Sequence, residues 1–317
     1  MRIAIFSDTW LPQVNGVSKY LEEMQKHMES QGIRYRLFVP ATEHESHNTI
    51  TFKGLPFWLY PELQICRTNQ ARIRSELDEF QPDAIYLATE LFIGAAGLRY
   101  ARRRDLPVVT TYHTNFPQYL SYYHFGFLKG VAWRYLKWFH SYSIVNFCPS
   151  LNTMEQLLLH GIGNVRVLNN GIDCDPFTPA KRSQSVRRYY APQGQLLLLY
   201  VGRIAPEKGL DTLMKAAKLL NKAGLSYKLL IVGDGPARQD LQAKAIANVV
   251  FTGFKSGEEL RKIFASADIF VFPSVTETFG NVVLEAMASG LPAIVANYGG
   301  VTESLRHGHN GLVFTIS

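Results

Sequence analysis

Along the chain, short runs of β-branched and other apolar residues alternate with longer stretches whose apolar positions recur at helical spacing. In the first half the runs predict strands over 2–6, 35–39, 84–87, 108–112, 144–148 and 165–168. Helical patterns between them cover 17–30, 93–103, 128–139 and 152–160. The rhythm restarts in the second half, with strands over 196–201, 228–232, 249–252, 269–272 and 293–296. Helices there are predicted over 210–223, 238–247, 258–265 and 282–289. Strands that are apolar at nearly every position, each followed by a helix, predict α/β architecture with parallel sheets covered on both faces. A polar, basic, proline-bearing stretch without periodicity, 173–194, separates the halves. The expectation is two doubly wound domains, 1–178 and 195–317, joined by a linker at 179–194 and facing across a cleft. Ligands bind such sheets at the carboxyl ends of strands, so the strand-to-helix turns are where chemistry is sought.

Composition narrows the class. A chain of 317 residues, 47% hydrophobic and 19% charged, is long enough for about two cores and too apolar for disorder. No apolar run approaches the ~18 residues of a membrane span. The opening MRIAIFSDTW is interrupted too early, at Asp8, to be a signal peptide. Three cysteines, Cys66, Cys148 and Cys174, form no CxxC pair and suit a reducing compartment. A soluble cytoplasmic protein is expected. The net charge of +7 is spread over both halves rather than gathered into a nucleic-acid footprint, so no nucleic acid is expected as a partner. One segment differs. Residues 99–140 carry Arg99, Arg102, Arg103, Arg104, Lys129, Arg134 and Lys137 against Asp105 alone, interleaved with Tyr119, Trp133, Trp138 and other aromatics. An interfacial helix on anionic lipid would use that mixture, which would place the protein peripherally on the inner face of the plasma membrane. A half-buried helix with core aromatics and solvated cations is the plainer reading, and the sequence favours it.

Three turns of the second half invite an anion. After 196–201 comes GRIAPEKG at 202–209, where Arg203 and Lys208 stand on a glycine-bounded turn at a helix start, a planar fork and a point charge. After 228–232 comes Gly233-Asp234-Gly235-Pro236, which lacks the third glycine and the distant acid of a dinucleotide fingerprint. The third turn, PSVTETFGN at 273–281, leads into a helix. Glu277 precedes that helix, Glu285 lies in its second turn, and the amides of Thr278, Phe279, Gly280 and Asn281 face whatever sits before them. Taken alone, the third turn is read more simply with Glu277 capping the helix and Glu285 solvated.

Taken together, VGRIAPEKG and PSVTETFGNVVLEAMASGLP, with paired cations and paired glutamates, resemble the retaining nucleotide-sugar glycosyltransferases of family 4. The likeness extends to Asn15-Gly16-Val17, TYHTNFPQY at 111–119, NNGID at 169–173 and NGLVF at 310–314, so it covers nearly the whole chain. It implies the GT-B fold of two Rossmann-like domains and a hexose donor, GDP-mannose or a UDP-hexose, with no cofactor and no metal. HTNFPQY is most similar to bacterial members that place mannose or glucose on lipid or cell-envelope acceptors. By the resemblance, Arg203 and Lys208 grip the donor diphosphate, and Glu277 with the amides near Phe279 and Gly280 holds the hexose. Glu285 binds the ribose, and the backbone at Phe254 lies near the base. Gly16 admits the diphosphate without a side chain in the way, His113 stands by the sugar, and Asn15, Asn115 and Tyr119 belong to the acceptor side. No base is evident on the acceptor side, so front-side displacement is expected, with the departing phosphate taking the acceptor proton.

Other features fit this picture less well. Asp173-Cys174-Asp175 reads as a D-x-D, but two linker carboxylates make a poor metal cage, and His44-Glu45-Ser46-His47 has too few ligands for zinc. Family members run on past the NGLVF strand through further helices, whereas this sequence stops at Ser317, so a truncated second domain without its C-terminal helices is expected. A sugar-nucleotide 2-epimerase and a non-catalytic nucleotide-sugar-binding protein remain the competing functions.

Overall fold

The computed structural model describes residues 1–13, 15–43, 46–57, 60–169 and 171–315. His44 and Glu45 of the first histidine cluster, Asn170 of NNGID and the last two residues lie outside them. The chain forms two compact units, Met1–Asn169 and Asn170–Ser317.

In the first unit the strands are β1 (Arg2–Phe6), β2 (Arg34–Pro40), β3 (Thr49–Phe52), β4 (Gly54–Phe57), β5 (Tyr60–Cys66), β6 (Ala84–Leu87), β7 (Val108–Thr111), β8 (Val145–Cys148) and β9 (Val165–Val167). Seven of them make one parallel sheet in the order β3-β2-β1-β6-β7-β8-β9, and β4 and β5 pair as an antiparallel hairpin. The helices are α1 (Gly16–Ser30), α2 (Gln70–Phe80), α3 (Phe92–Arg104), α4 (Phe116–Tyr122), α5 (Lys129–His140) and α6 (Leu151–Leu159). Sequence periodicity placed the sheet core correctly because Ile5, Phe6, Leu37, Phe38 and Ile85 are apolar and wholly buried. It missed β3, the hairpin, α2 and α4, which are short or lie between the clear β and α signals.

The second unit repeats the plan with β10 (Leu196–Val201), β11 (Tyr227–Val232), β12 (Val249–Gly253), β13 (Ile269–Phe272), β14 (Ala293–Ala296) and β15 (Gly311–Phe314). They form a six-stranded parallel sheet, β12-β11-β10-β13-β14-β15. Its helices are α7 (Gln184–Tyr190), α8 (Leu210–Lys222), α9 (Arg238–Ala243), α10 (Gly257–Ser266) and α11 (Asn281–Ala288).

The expected linker needs correction. The division falls at 169/170, and 179–194 is built into the second unit. A 3₁₀ turn, Pro179–Lys181, and α7 pack there on α10. Arg187 pairs with Asp268 at 2.5 Å, the same Asp268 oxygen accepts from Leu197 N at 2.8 Å, and Ser183 N donates to Ser266 Oγ at 2.9 Å. Those partners lie about 80 residues further along the chain, where a local hydrophobic pattern cannot register them.

The segment 99–140 resolves into α3, α4, a 3₁₀ turn and α5. Helix α5 buries Trp133, Leu136, Phe139 and His140, with Lys129, Arg134 and Lys137 exposed, as the plainer reading expects. Phe127, Val131 and Trp138 nevertheless stay exposed, at 77%, 50% and 45%. Among the described residues no helix is long and apolar enough to cross a membrane.

Candidate active site

The two charged turns of the second unit meet because of one glycine. Gly209 closes the turn after β10 at φ +68° and begins α8; a Cβ there would lie 2.5 Å from the carbonyl oxygen of Pro273, in the turn after β13. This approach puts Lys208 Nζ 2.5 Å from Glu277 Oε1, and Ser274 Oγ donates to the same oxygen at 3.0 Å. Arg203 Nη1 donates to Glu207 Oε1 at 3.2 Å, and Thr276 Oγ1 donates to the Glu207 carbonyl at 3.3 Å. Arg203, Glu207, Lys208, Ser274, Thr276 and Glu277 thus form one connected cluster at the carboxyl ends of β10 and β13. Its charged side chains are largely withdrawn from water: 14% of Arg203, 12% of Lys208, 18% of Glu277 and none of Glu207 is exposed.

Two cations and two carboxylates leave the cluster neutral. An entering diphosphate would therefore share Lys208 with Glu277 and Arg203 with Glu207, meeting donors already held in place. Glu207, Ser274 and Thr276 escaped the sequence reading. The four-residue spacing from Arg203 to Glu207 was the available signal for the first; the hydroxyls that position Glu277 and Glu207 carried none.

Beyond Glu277 the chain passes Thr278, the buried Phe279 and Gly280 into α11, whose start no side chain caps. The backbone amides there face outward from the helix end, where partial positive charge favours an anion or hydroxyl. Asn281 Oδ1, at the same place, is buried without a hydrogen-bond partner among the described residues. Glu285 sits in the second turn of α11 and is 6% exposed, so it is no solvated surface carboxylate. Phe254 follows β12 and is exposed; a Cβ on the preceding Gly253 would lie 3.7 Å from Arg238, which pairs with Asp234 at 2.7 Å. The glycines of 233–236 serve packing. A Cβ on Gly233 would sit 1.9 Å from Gly202 O, so this turn lies directly on the Arg203 turn.

In the first unit, Asn15 accepts from Val17 N at 3.0 Å and Ser18 N at 2.9 Å and so caps α1; its amide donates to Thr9 Oγ1 at 2.7 Å. Gly16 opens the helix, and a Cβ there would meet nothing within 4 Å. His113 follows β7, with its ring 5.0 Å from that of Tyr20. Part of His113 is accessible, yet its Nε2 is buried, and burial pulls the imidazole down to about 4. Asn115 Oδ1 caps α4 through Gln118 N at 3.3 Å and accepts from the Tyr112 hydroxyl at 3.2 Å. Tyr119, half-buried, packs edge-on against Phe116. Both asparagines assigned to the acceptor side therefore spend their side chains holding helix starts.

Comparison with known proteins bears on what this site does. Residues 14–176 match the family model Glycosyltransferase Family 4, and residues 182–317 match Glycosyl transferases group 1. The chain is 34% identical to a GDP-mannose-dependent alpha-mannosyltransferase of Mycobacterium tuberculosis, over 100% of this chain and 84% of that protein. It is 28% identical to an alpha-monoglucosyldiacylglycerol synthase of Streptococcus pneumoniae, over 93% and 70%. The solved sucrose-phosphate synthase of Thermosynechococcus elongatus superposes with a TM-score of 0.80 at 20% identity, covering 99% of this chain and 86% of that one, which shows the fold. With its two Rossmann-like units and these two matched halves, the chain belongs to glycosyltransferase family 4, as a GT-B hexosyltransferase.

Proposed function

We propose that the protein moves mannose or glucose from GDP-mannose or a UDP-hexose to a lipid or glycan acceptor, with retention at the anomeric carbon. The observation that carries this reading is the Arg203–Glu207, Lys208–Glu277 cluster beside the uncapped start of α11. Arg203 and Lys208 take the diphosphate and neutralise the charge that grows on it as the glycosidic bond breaks. Glu277, its lysine then shared with phosphate, accepts from hexose hydroxyls together with the amides of Thr278, Phe279, Gly280 and Asn281. Glu285 takes the ribose hydroxyls, and the backbone at Phe254 meets the base. From the first unit, Gly16 leaves room for the diphosphate and His113 receives a hydroxyl of the hexose as a neutral imidazole. Asn15, Asn115 and Tyr119 shape the acceptor side.

In the transfer step the acceptor oxygen bonds to the anomeric carbon on the face that the diphosphate leaves, and the acceptor proton passes to the departing phosphate oxygen. Retention through a covalent intermediate would require a carboxylate nucleophile. Glu277 is engaged by Lys208 and Ser274 instead, which favours the front-side route. Because the two cations supply the charge, no metal is assigned a part. A lipid acceptor draws support from the S. pneumoniae relative, named for a diacylglycerol product. It draws further support from the exposed Phe127, Val131 and Trp138 among the cations of 99–140, a surface suited to peripheral contact with anionic lipid.

Incubation with labelled GDP-mannose, UDP-glucose and UDP-N-acetylglucosamine, with lipid extract as acceptor, tests the reading. Transfer supports it, interconversion of donor sugars would make the protein a 2-epimerase, and donor binding without turnover would make it a binding protein. A glycosyl group trapped on Glu277 would replace the front-side step. Sedimentation with liposomes tests the membrane contact, and indifference to lipid charge would remove its electrostatic part.

A further inference from the structure

A further pair of ionisable groups is buried in the first unit, outside the groups assigned above. Glu90, just past β6, and His140, at the end of α5, are 2% and 1% exposed. Glu90 Oε1 lies 3.5 Å from His140 Nε2, and neither atom has a hydrogen-bond partner among the described residues. The other side of the imidazole fixes its protonation. His140 Nδ1 is 2.9 Å from Asn146 Oδ1 and 2.9 Å from Thr110 Oγ1. The Asn146 amide cannot be turned round: its nitrogen donates to Gly163 O at 2.7 Å, and its oxygen accepts from Thr110 Oγ1 at 2.6 Å. An amide oxygen facing Nδ1 requires that Nδ1 carry hydrogen. A neutral ring would then present the Nε2 lone pair to a carboxylate oxygen, both out of reach of water, an arrangement that is costly for each. Asp8 after β1, Tyr86 on β6, Tyr112 after β7 and Tyr135 on α5 are ionisable neighbours, Arg99 of α3 acts on Tyr135, and the Tyr135 hydroxyl is committed to the Glu90 carbonyl.

We propose that Glu90 Oε1 and His140 Nε2 hold one proton between them, and that this bridge makes Glu90 a positioning residue for the turn at 112–115, which carries His113. The inference rests on the part given to that turn in hexosyl transfer. The connection is physical: the Tyr112 ring packs edge-on against the His140 ring, centroids 6.1 Å apart, and the Tyr112 hydroxyl donates to Asn115, the cap of α4. His113 lies between these two anchored residues. A His140 ring held at both nitrogens fixes Tyr112, and with it the stretch of backbone that presents His113.

Two readouts on the full chain test this. Nitrogen-15 and carbon-13 spectra at neutral pH should show Nδ1 protonated and a proton shared at Nε2 or on the Glu90 carboxyl. A bare Nε2 beside an ionised Glu90, or hydrogen on Nε2 with none on Nδ1, overturns the bridge. In kinetics, Glu90→Leu should lower kcat about tenfold or more with the donor KM changed less than about threefold, since a small misplacement of the reacting geometry acts on turnover. Glu90→Gln, whose amide donates to a neutral Nε2, should restore turnover to within about threefold of the original. Wild-type turnover in Glu90→Leu, or equal damage in both variants, refutes the positioning role. Should Glu90→Leu not fold, the wild-type spectrum and Glu90→Gln still decide. His113→Ala with undiminished transfer would remove the catalytic reading of the turn while leaving the spectral signature in place, so the two ideas fail separately.

Discussion

Lys208 and Arg203 do different work although both are cations on one turn. Lys208 is held by Glu277, which also accepts from Ser274 and borders the proposed hexose site, whereas Arg203 is held by the wholly buried Glu207. Removing either cation leaves a carboxylate in a desolvated place as well as a weaker hold on phosphate. Lys208→Ala and Arg203→Ala should each weaken nucleoside diphosphate binding by about 10–100-fold, one charged hydrogen-bonding partner's worth. Calorimetry with GDP and UDP checks this, and full affinity in both would mean that the diphosphate binds elsewhere. His113 makes a pH-dependent prediction of opposite character. Burial lowers its imidazole from 6.5 to about 4, so the native residue stays neutral where the unfolded one takes a proton. Its contribution to stability is therefore intact above pH 6.5 and declines as the pH falls toward 4, by about 3 kcal/mol at most. Urea melts at pH 7 and 4.5 should show a smaller acid loss in His113→Gln than in the original. Equal losses would assign the effect to other groups.

At the level of elements, α7 shows what a local pattern cannot hold. Its residues Val186 and Tyr190 touch the second core with partial burial, and the helix is fastened by Arg187 to Asp268, an aspartate that also receives Leu197 N–H from the edge of β10. Asp268→Ala should release α7 and destabilise the second unit by about 2–4 kcal/mol, because a half-buried arginine and a strand amide lose their partner together. Hydrogen exchange across 184–190 should rise with it; unchanged protection would mean that apolar packing alone docks the helix. Elements whose stability comes from their own apolar stripe were legible from sequence, and β1, β6, β10, β13 and β14 begin and end where the pattern places them. Elements fastened by distant polar contacts, α7 above all, were not. The candidate site divides in the same way. Its cations and glutamates are visible as residue types on turns, but the pairing of Lys208 with Glu277 spans 69 positions and becomes visible only when Gly209 meets Pro273.

Across the whole molecule, the two cores are built from separate stretches of chain. Every residue of the large cluster around β10–β15 lies between 177 and 313, and the three clusters of the first unit all lie between 3 and 167. All but Gly16 and His113 of the groups assigned to the donor lie in the second unit, whose turns fix one another through Gly209, Gly233 and the Arg203 and Lys208 ion pairs. A cluster assembled by contacts internal to one unit does not need the other in order to form, and each unit falls within the usual size of an independently folding domain. The isolated fragment 170–317 should therefore fold cooperatively and bind GDP or UDP with a Kd within about tenfold of the whole chain, the margin allowing for the loss of Gly16. It should transfer no sugar, since His113 and the acceptor-side residues are absent from it. Chelation should leave nucleotide binding by both forms unchanged, because the charge of the diphosphate is met by arginine and lysine. Calorimetry with and without EDTA, on fragment and whole chain, separates the outcomes. A folded fragment that has lost its affinity would mean that the first unit supplies more of the donor site than Gly16, and loss of binding on chelation would return a metal to the diphosphate.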